Sequence, residues 1–231
     1  MSGCHSGGHP RTPGYRLVAS EEIARGGFLT FAEEAFESPA GERFVRWMVE
    51  HPGAVAAVPI EDGPGGPHVV LVRQWRPAVR DLMLEIPAGK LDVPGEPPDD
   101  AMARELAEEI QQRAGRLVKL ATFWNSPGFS TERTHVYIAL DLSPCDRPEA
   151  AKEEEQDMTI ERFPLADIGR LIATGEIADA KTIIGLTLAD RYLGLNFPDG
   201  RPDATPEDAG RAQESLGPTG QPEAAPSEAA R

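Results

Sequence analysis

The residues best placed to do chemistry lie in one short run, Arg104-Glu105-Leu106-Ala107-Glu108-Glu109. Its spacing predicts a helix over residues Ala101–Arg113, started by Asp99 or Asp100 as N-cap. On that helix Glu105, Glu108 and Glu109 fall within a sector of about 100°. Ala103, Leu106, Ala107 and Ile110 occupy the opposite, buried sector. Three carboxylates crowded together repel one another unless a cation sits among them. Hard oxygen donors at i, i+3 and i+4 suit Mg²⁺ or Mn²⁺ rather than zinc, which prefers His and Cys. An isolated Glu-x-x-Glu-Glu is most often a solvated helix face. The preceding stretch sets this one apart, because seven residues separate the Glu96 that ends Gly89-Lys90-Leu91-Asp92-Val93-Pro94-Gly95-Glu96 from Arg104.

The pattern resembles the Nudix box, Gly-x5-Glu-x7-Arg-Glu-U-x-Glu-Glu-x-Gly-U, where U is a bulky aliphatic residue. Gly89, Glu96, Arg104, Glu105, Leu106, Glu108 and Glu109 match it. Two departures are visible. Six residues rather than five lie between Gly89 and Glu96, a difference that the Pro94-Gly95 turn can absorb. Gln111-Gln112 replaces the terminal Gly-U, which removes the helix-ending glycine and lets the helix run on toward Gly115.

More of the chain resembles the ADP-ribose pyrophosphatase branch of that family. The matching segments are Val72-Arg73-Gln74-Trp75-Arg76-Pro77, Glu85-Ile86-Pro87-Ala88-Gly89, Ser126-Pro127-Gly128-Phe129-Ser130 and Asp179-Ala180-Lys181-Thr182. Pro127 stands fifteen residues past Gln112. The resemblance implies hydrolysis of ADP-ribose to AMP and ribose 5-phosphate. It implies two or three Mg²⁺ or Mn²⁺ ions held by Glu105, Glu108, Glu109 and the Ala88 carbonyl, with Arg104 steadying the carboxylates. It places Arg76 on the substrate phosphates and Pro127 beside the substrate. The general base is expected in the acidic loop, at Glu154 with Glu155 as runner-up. In related dimers the N-terminal unit is exchanged between subunits; the nearest matches for its substrate contacts are Arg46 and Trp47.

The elements that must position these groups are legible as patterns. Residues 14–50 read as a small antiparallel β unit, two runs (Gly27–Ser38 and Glu42–Glu50) flanking Ser38-Pro39-Ala40-Gly41. A lone hairpin is marginal in water, so this unit must pack on something else. Ala54–Ile60, His68–Arg76 and Leu82–Ile86 read as strands, as do Leu117–Trp124, Thr134–Leu142 and Met158–Phe163. Helices are expected at Pro164–Thr174 and Asp179–Leu193. The class is therefore α/β (α+β). The resemblance sharpens this to a Nudix α/β/α sandwich around a mixed sheet, occupying residues 51–197. Residues 1–13 and the Pro/Ala-rich acidic tail 198–231 carry no core pattern and read as disordered.

Composition narrows the function classes. The 231 residues are 40% hydrophobic and 26% charged, with a formal net charge of −15. That balance argues against binding nucleic-acid backbone or a polybasic membrane contact. No apolar run approaches the ~18 residues of a membrane span, and no leader pattern opens the chain. Two cysteines, Cys4 and Cys145, are too few for a disulfide framework, so the chain reads as cytoplasmic. A small nucleoside diphosphate, approached through carboxylate-held metals, is the anionic partner this charge permits. Two alternatives stay open: another nucleotide-sugar or dinucleotide substrate, and a non-catalytic module that senses ADP-ribose.

Overall fold

The computed structural model describes residues 14–146 and 158–194. The expected disordered ends and the acidic loop with Glu154 and Glu155 lie outside the described residues. Two units divide the chain at Asp190 and Arg191, and the site below belongs to the first.

The main sheet has the order β10-β5-β4-β9-β8, with β6 added to β5 and β7 to β4. Its strands are β4 (Ala54–Gly63), β5 (Gly66–Arg76), β6 (Asp81–Glu85), β7 (Ala88–Lys90), β8 (Gln112–Trp124), β9 (Arg133–Pro144) and β10 (Thr159–Pro164). β4 and β9 run parallel, whereas the other pairs are antiparallel, so the sheet is mixed. One edge of β4 is shared. Ile60–Gly63 pair with β5, Ala54–Ala56 pair with β7, and the Ala57 N–H donates to the Pro87 carbonyl between them at 3.0 Å. That arrangement sets Ala88 and Gly89 beside Ala56 and Val55 of β4.

A helix covers each face of this sheet. On one face, Val55, Ala57, Val70, Val72, Tyr137 and Ala139 pack with Ala101, Met102, Leu106 and Ile110 of α1 (Pro98–Ile110). On the other lies α3 (Ala180–Leu193), preceded by a 3-10 turn at Leu165–Asp167 and α2 (Ile168–Ala173). Its Gly185 comes so near the sheet that a Cβ would stand 2.9–3.2 Å from Ile86, Val136 and Val58 side chains. Burial from both sides explains why β4 reads as a continuous apolar run instead of alternating.

Residues 14–50 form a separate three-stranded sheet, β1 (Arg16–Gly26), β2 (Leu29–Glu37) and β3 (Arg43–Glu50). The sequence pattern showed the β2–β3 hairpin but not β1, whose residues are all exposed and so carry no period-2 burial signal. β3 is tied to the β8–β9 loop through Val49, which donates to Phe129 O at 2.7 Å and accepts from Thr131 N–H at 3.0 Å.

Both ends of α1 differ from the sequence expectation. Pro97, not an aspartate, stands at the N-cap, without a side-chain cap bond. Asp99 instead accepts a 2.6 Å hydrogen bond from the Tyr137 hydroxyl. The helix stops at Ile110 because Gln111 turns left-handed (φ 54°) and β8 begins at Gln112, opposite Pro144. The sheet thus captures the chain before a further helical turn can form. Ala103 is exposed, while Glu105, Glu108 and Glu109 are buried with Leu106 and Ile110. The carboxylates therefore share the packed side of α1 and do not lie opposite it.

Candidate active site

Arg104 binds the buried carboxylates of α1 together. Its Nη1 donates to Glu105 at 2.7 Å and to Glu108 at 3.2 Å, and Nε and Nη2 both reach Glu96 at 3.1 Å. This is the counter-charge that buried carboxylates require. The contacts hold the guanidinium firmly in its charged form. They also explain the spacing: Glu96 closes the loop onto the residue eight positions later, at the start of the acidic helix face.

Gly89 sits directly against Glu105, and a Cβ there would overlap the Glu105 carboxyl. Only glycine permits this approach of strand and helix. Next to it, the Ala88 N–H donates to Glu109 Oε2 at 3.0 Å. Ala88, Gly89, Glu105 and Glu109 all line one cleft of about 560 Å³, within the usual size of small-molecule sites. Glu108, bonded to Arg104, is not among its lining residues.

Arg76, on β5, lines the same cleft and forms a two-point pair with Glu85 at 2.7 and 2.8 Å. Glu85 is 1% exposed and also receives Lys181 from α3. Burial raises the Glu85 pKa, but the Arg76 hydrogen bond and the Lys181 and Arg76 charges outweigh it and hold the carboxyl below its ordinary value. Asp179 caps α3 by accepting from the Thr182 N–H at 2.9 Å and its hydroxyl at 2.6 Å. Thr182 Oγ1 in turn accepts from the Ile86 N–H at 3.0 Å, which fixes α3 to the strand end carrying Glu85. Gln74, two residues before Arg76, also lines the cleft; its buried Nε2 has no partner, the single such side-chain atom found among the described residues. Phe28, His51 and Lys90 line the cleft as well, with the Lys90 ammonium 4.5 Å from the Phe28 ring centre.

Arg46, Trp47 and Pro127 do not line this cleft. Arg46 donates to its neighbour Val45 O at 2.8 Å and stacks over Phe44. Trp47 is 60% exposed and donates to Glu33 at 2.8 Å. Pro127 lies exposed in the turn whose preceding residues, Asn125 and Ser126, do reach the cleft.

Residues 50–185 match the NUDIX domain model. The chain belongs to the Nudix family. The ADP-ribose pyrophosphatase of Mycobacterium tuberculosis is 37% identical over 188 residues, covering 81% of this chain and 88% of that protein. The ADP-ribose pyrophosphatase of Bacillus subtilis is 36% identical over 180 residues, covering 78% and 92%. A solved ADP compounds hydrolase superposes with a TM-score of 0.68 at 25% identity, covering 80% of this chain and 96% of that one.

In Nudix terms the box here is a loop, a helix and one arginine that fastens them. Among the described residues no three acidic, His or Cys side chains are already grouped as a metal cage. Glu105 and Glu108 are turned to Arg104, and Glu109 to Ala88. The chemistry of the donor set nevertheless fits a hard divalent cation: three buried carboxylates with oxygen donors only. The sequence reading missed Glu85, Lys181 and Asp179 as site residues. Glu85 and Lys181 are 96 positions apart, so no local spacing joins them. The available signals were the acidic residue two positions before the Pro-Ala-Gly lead-in of the box and the Asp179-Ala180-Lys181-Thr182 segment.

Proposed function

We propose that this Nudix protein hydrolyses ADP-ribose to AMP and ribose 5-phosphate. The observation that carries the reading is the cleft itself, which is lined both by the box carboxylates Glu105 and Glu109 and by the cations Arg76 and Lys181. Such a site matches a diphosphate, whose charge must be neutralised while water attacks phosphorus. Glu105, Glu108, Glu109 and the Ala88 carbonyl would hold Mg²⁺ or Mn²⁺, which would neutralise phosphate oxygens and lower the pKa of bound water. Arg104 keeps the carboxylates gathered, Arg76 takes phosphate oxygens, and the Gln74 amide offers a further donor from the same strand. Glu154, or Glu155 next to it, serves as general base. The relatives named ADP-ribose pyrophosphatase support this substrate, since they align along most of their length.

We read the active form as a homodimer in which residues 14–50 of one subunit serve the other. This sheet leaves Leu17, Val18, Ile23, Val45 and Trp47 exposed, an apolar surface unusual for a lone unit. Arg46 and Trp47 then act at the partner's cleft and not at their own. No helix among the described residues is long and apolar enough to cross a membrane.

The test is incubation of the purified protein with ADP-ribose and Mg²⁺ or Mn²⁺, beside a panel of nucleotide sugars and dinucleotides. AMP and ribose 5-phosphate as the fastest-formed products are the expected result. Faster cleavage of another panel member would move the substrate. Tight binding of ADP-ribose without turnover would make the protein a sensor.

A further inference from the structure

Glu85 is a fully buried carboxylate with two cations, and it needs only one. Arg76 already satisfies both its oxygens. Lys181 adds a second positive charge to Glu85 Oε2 and bonds Asp179 Oδ2 at 3.0 Å. Asp179 is itself occupied in capping α3. The groups are layered: Glu85 lies behind the cleft wall, whereas Arg76 and Lys181 form its surface. Arg76 spends two of its five N–H donors on Glu85. Lys181 gives two of its three to carboxylates. Both cations thus keep donors for an acceptor inside the cleft, in positions set by one shared anion.

We propose that Lys181 is a second substrate-binding cation, which with Arg76 forms a two-point clamp on the diphosphate of a nucleoside diphosphate. Glu85 is its positioning residue. The assignment rests on the reading of the cleft as a nucleoside-diphosphate site. A bridging diphosphate presents several anionic oxygens, so a forked guanidinium and a point-like ammonium can grip it together. Preset cations lose little freedom when the ligand arrives, which favours affinity.

The competing explanation is that Lys181 only neutralises Glu85, and a double-mutant cycle separates the two. Steady-state kinetics with ADP-ribose and calorimetric titration with ADP and with adenosine are compared in full-length K181M, K181R, E85Q and E85Q/K181M. Loss of a charge-assisted hydrogen bond predicts that K181M raises KM and the Kd for ADP by about tenfold or more. Adenosine affinity stays the same, kcat changes by less than about threefold, and K181R recovers part of the ADP affinity. Glutamine keeps a carbonyl oxygen that can accept from Lys181, so in the E85Q background K181M still weakens ADP severalfold. Disappearance of the K181M effect in that background, or unchanged ADP affinity in K181M, would overturn the proposal. If the wild type leaves ADP-ribose uncleaved while K181M still weakens ADP, the assigned reaction fails and the clamp stands. If the wild type cleaves ADP-ribose and K181M binds ADP as well as wild type, the clamp fails and the reaction stands.

Discussion

Arg104 carries much of the site's logic at the scale of single residues. Its guanidinium is shared by Glu96, Glu105 and Glu108, so it gathers the half-buried Glu96 with the two buried acids of α1. Deleting it would leave several buried charges uncompensated, a costly outcome. This part of the site was legible because all its members sit within one loop and one helix. The Glu85–Lys181 contact was not, since it is created by the fold bringing α3 to the end of β6. Nor did spacing reveal that Arg76 is already engaged with Glu85. The base also belongs to this scale. In the proposed reaction the box acids hold metal, and a carboxylate from the acidic loop is assigned the proton of the attacking water. Glu154→Gln is expected to slow ADP-ribose turnover by roughly 10²–10⁴-fold, the range of general-base removal. Rate measurements at saturating Mg²⁺ on Glu154→Gln and Glu155→Gln check this, and near-wild-type rates in both would remove the loop from the mechanism.

Among the elements, α1 is where the sequence departs most visibly from the box pattern. Gln111 adopts the left-handed turn that the missing glycine would adopt more easily. A non-glycine residue pays about 1–2 kcal/mol there, partly offset by its lower freedom when unfolded. Gln111→Gly is therefore expected to raise the melting temperature by about 1–4 °C in a thermal scan. A lower melting temperature would show that the glutamine makes compensating contacts. β9 offers a second check. His135 is buried on it, 3.1 Å from Thr122 Oγ1, and burial, helped by Lys119 and Arg133, pushes its pKa down to about 4. The unfolded chain, with a pKa near 6.5, takes up this proton first. Stability should thus be lost as pH falls from about 6.5 toward 4, at up to about 1.4 kcal/mol per unit. Urea midpoints across that window should fall less steeply in His135→Gln than in wild type; parallel slopes would contradict the assignment. Strand runs were legible here because burial on both faces leaves unbroken apolar stretches. Helix ends were not, because α1 is ended by sheet pairing and begun by a proline.

On the scale of the whole molecule, the layered Nudix core accounts for the cleft, and the proposed exchange of the N-terminal sheet would bring Arg46 and Trp47 to a partner's cleft. The sheet's exposed Val45 and Trp47 are the surface that such an exchange would cover. Light scattering at micromolar concentration should give twice the chain mass, and Trp47→Glu should shift the protein toward monomer with reduced turnover. A monomeric wild type with full activity would contradict the exchange. The core architecture was legible from alternating strand and helix patterns, whereas β1 was hidden by its full exposure. The central claim, that the box carboxylates drive metal-dependent hydrolysis of ADP-ribose, meets its most direct test in one assay. AMP release from ADP-ribose is followed in Mg²⁺ for wild type, for wild type with excess EDTA, and for Glu109→Gln. Turnover in Mg²⁺, none with EDTA, and a loss of roughly 10²-fold or more in Glu109→Gln at a similar melting temperature are the results expected. Undiminished turnover in EDTA, or a near-wild-type rate in Glu109→Gln, would contradict it.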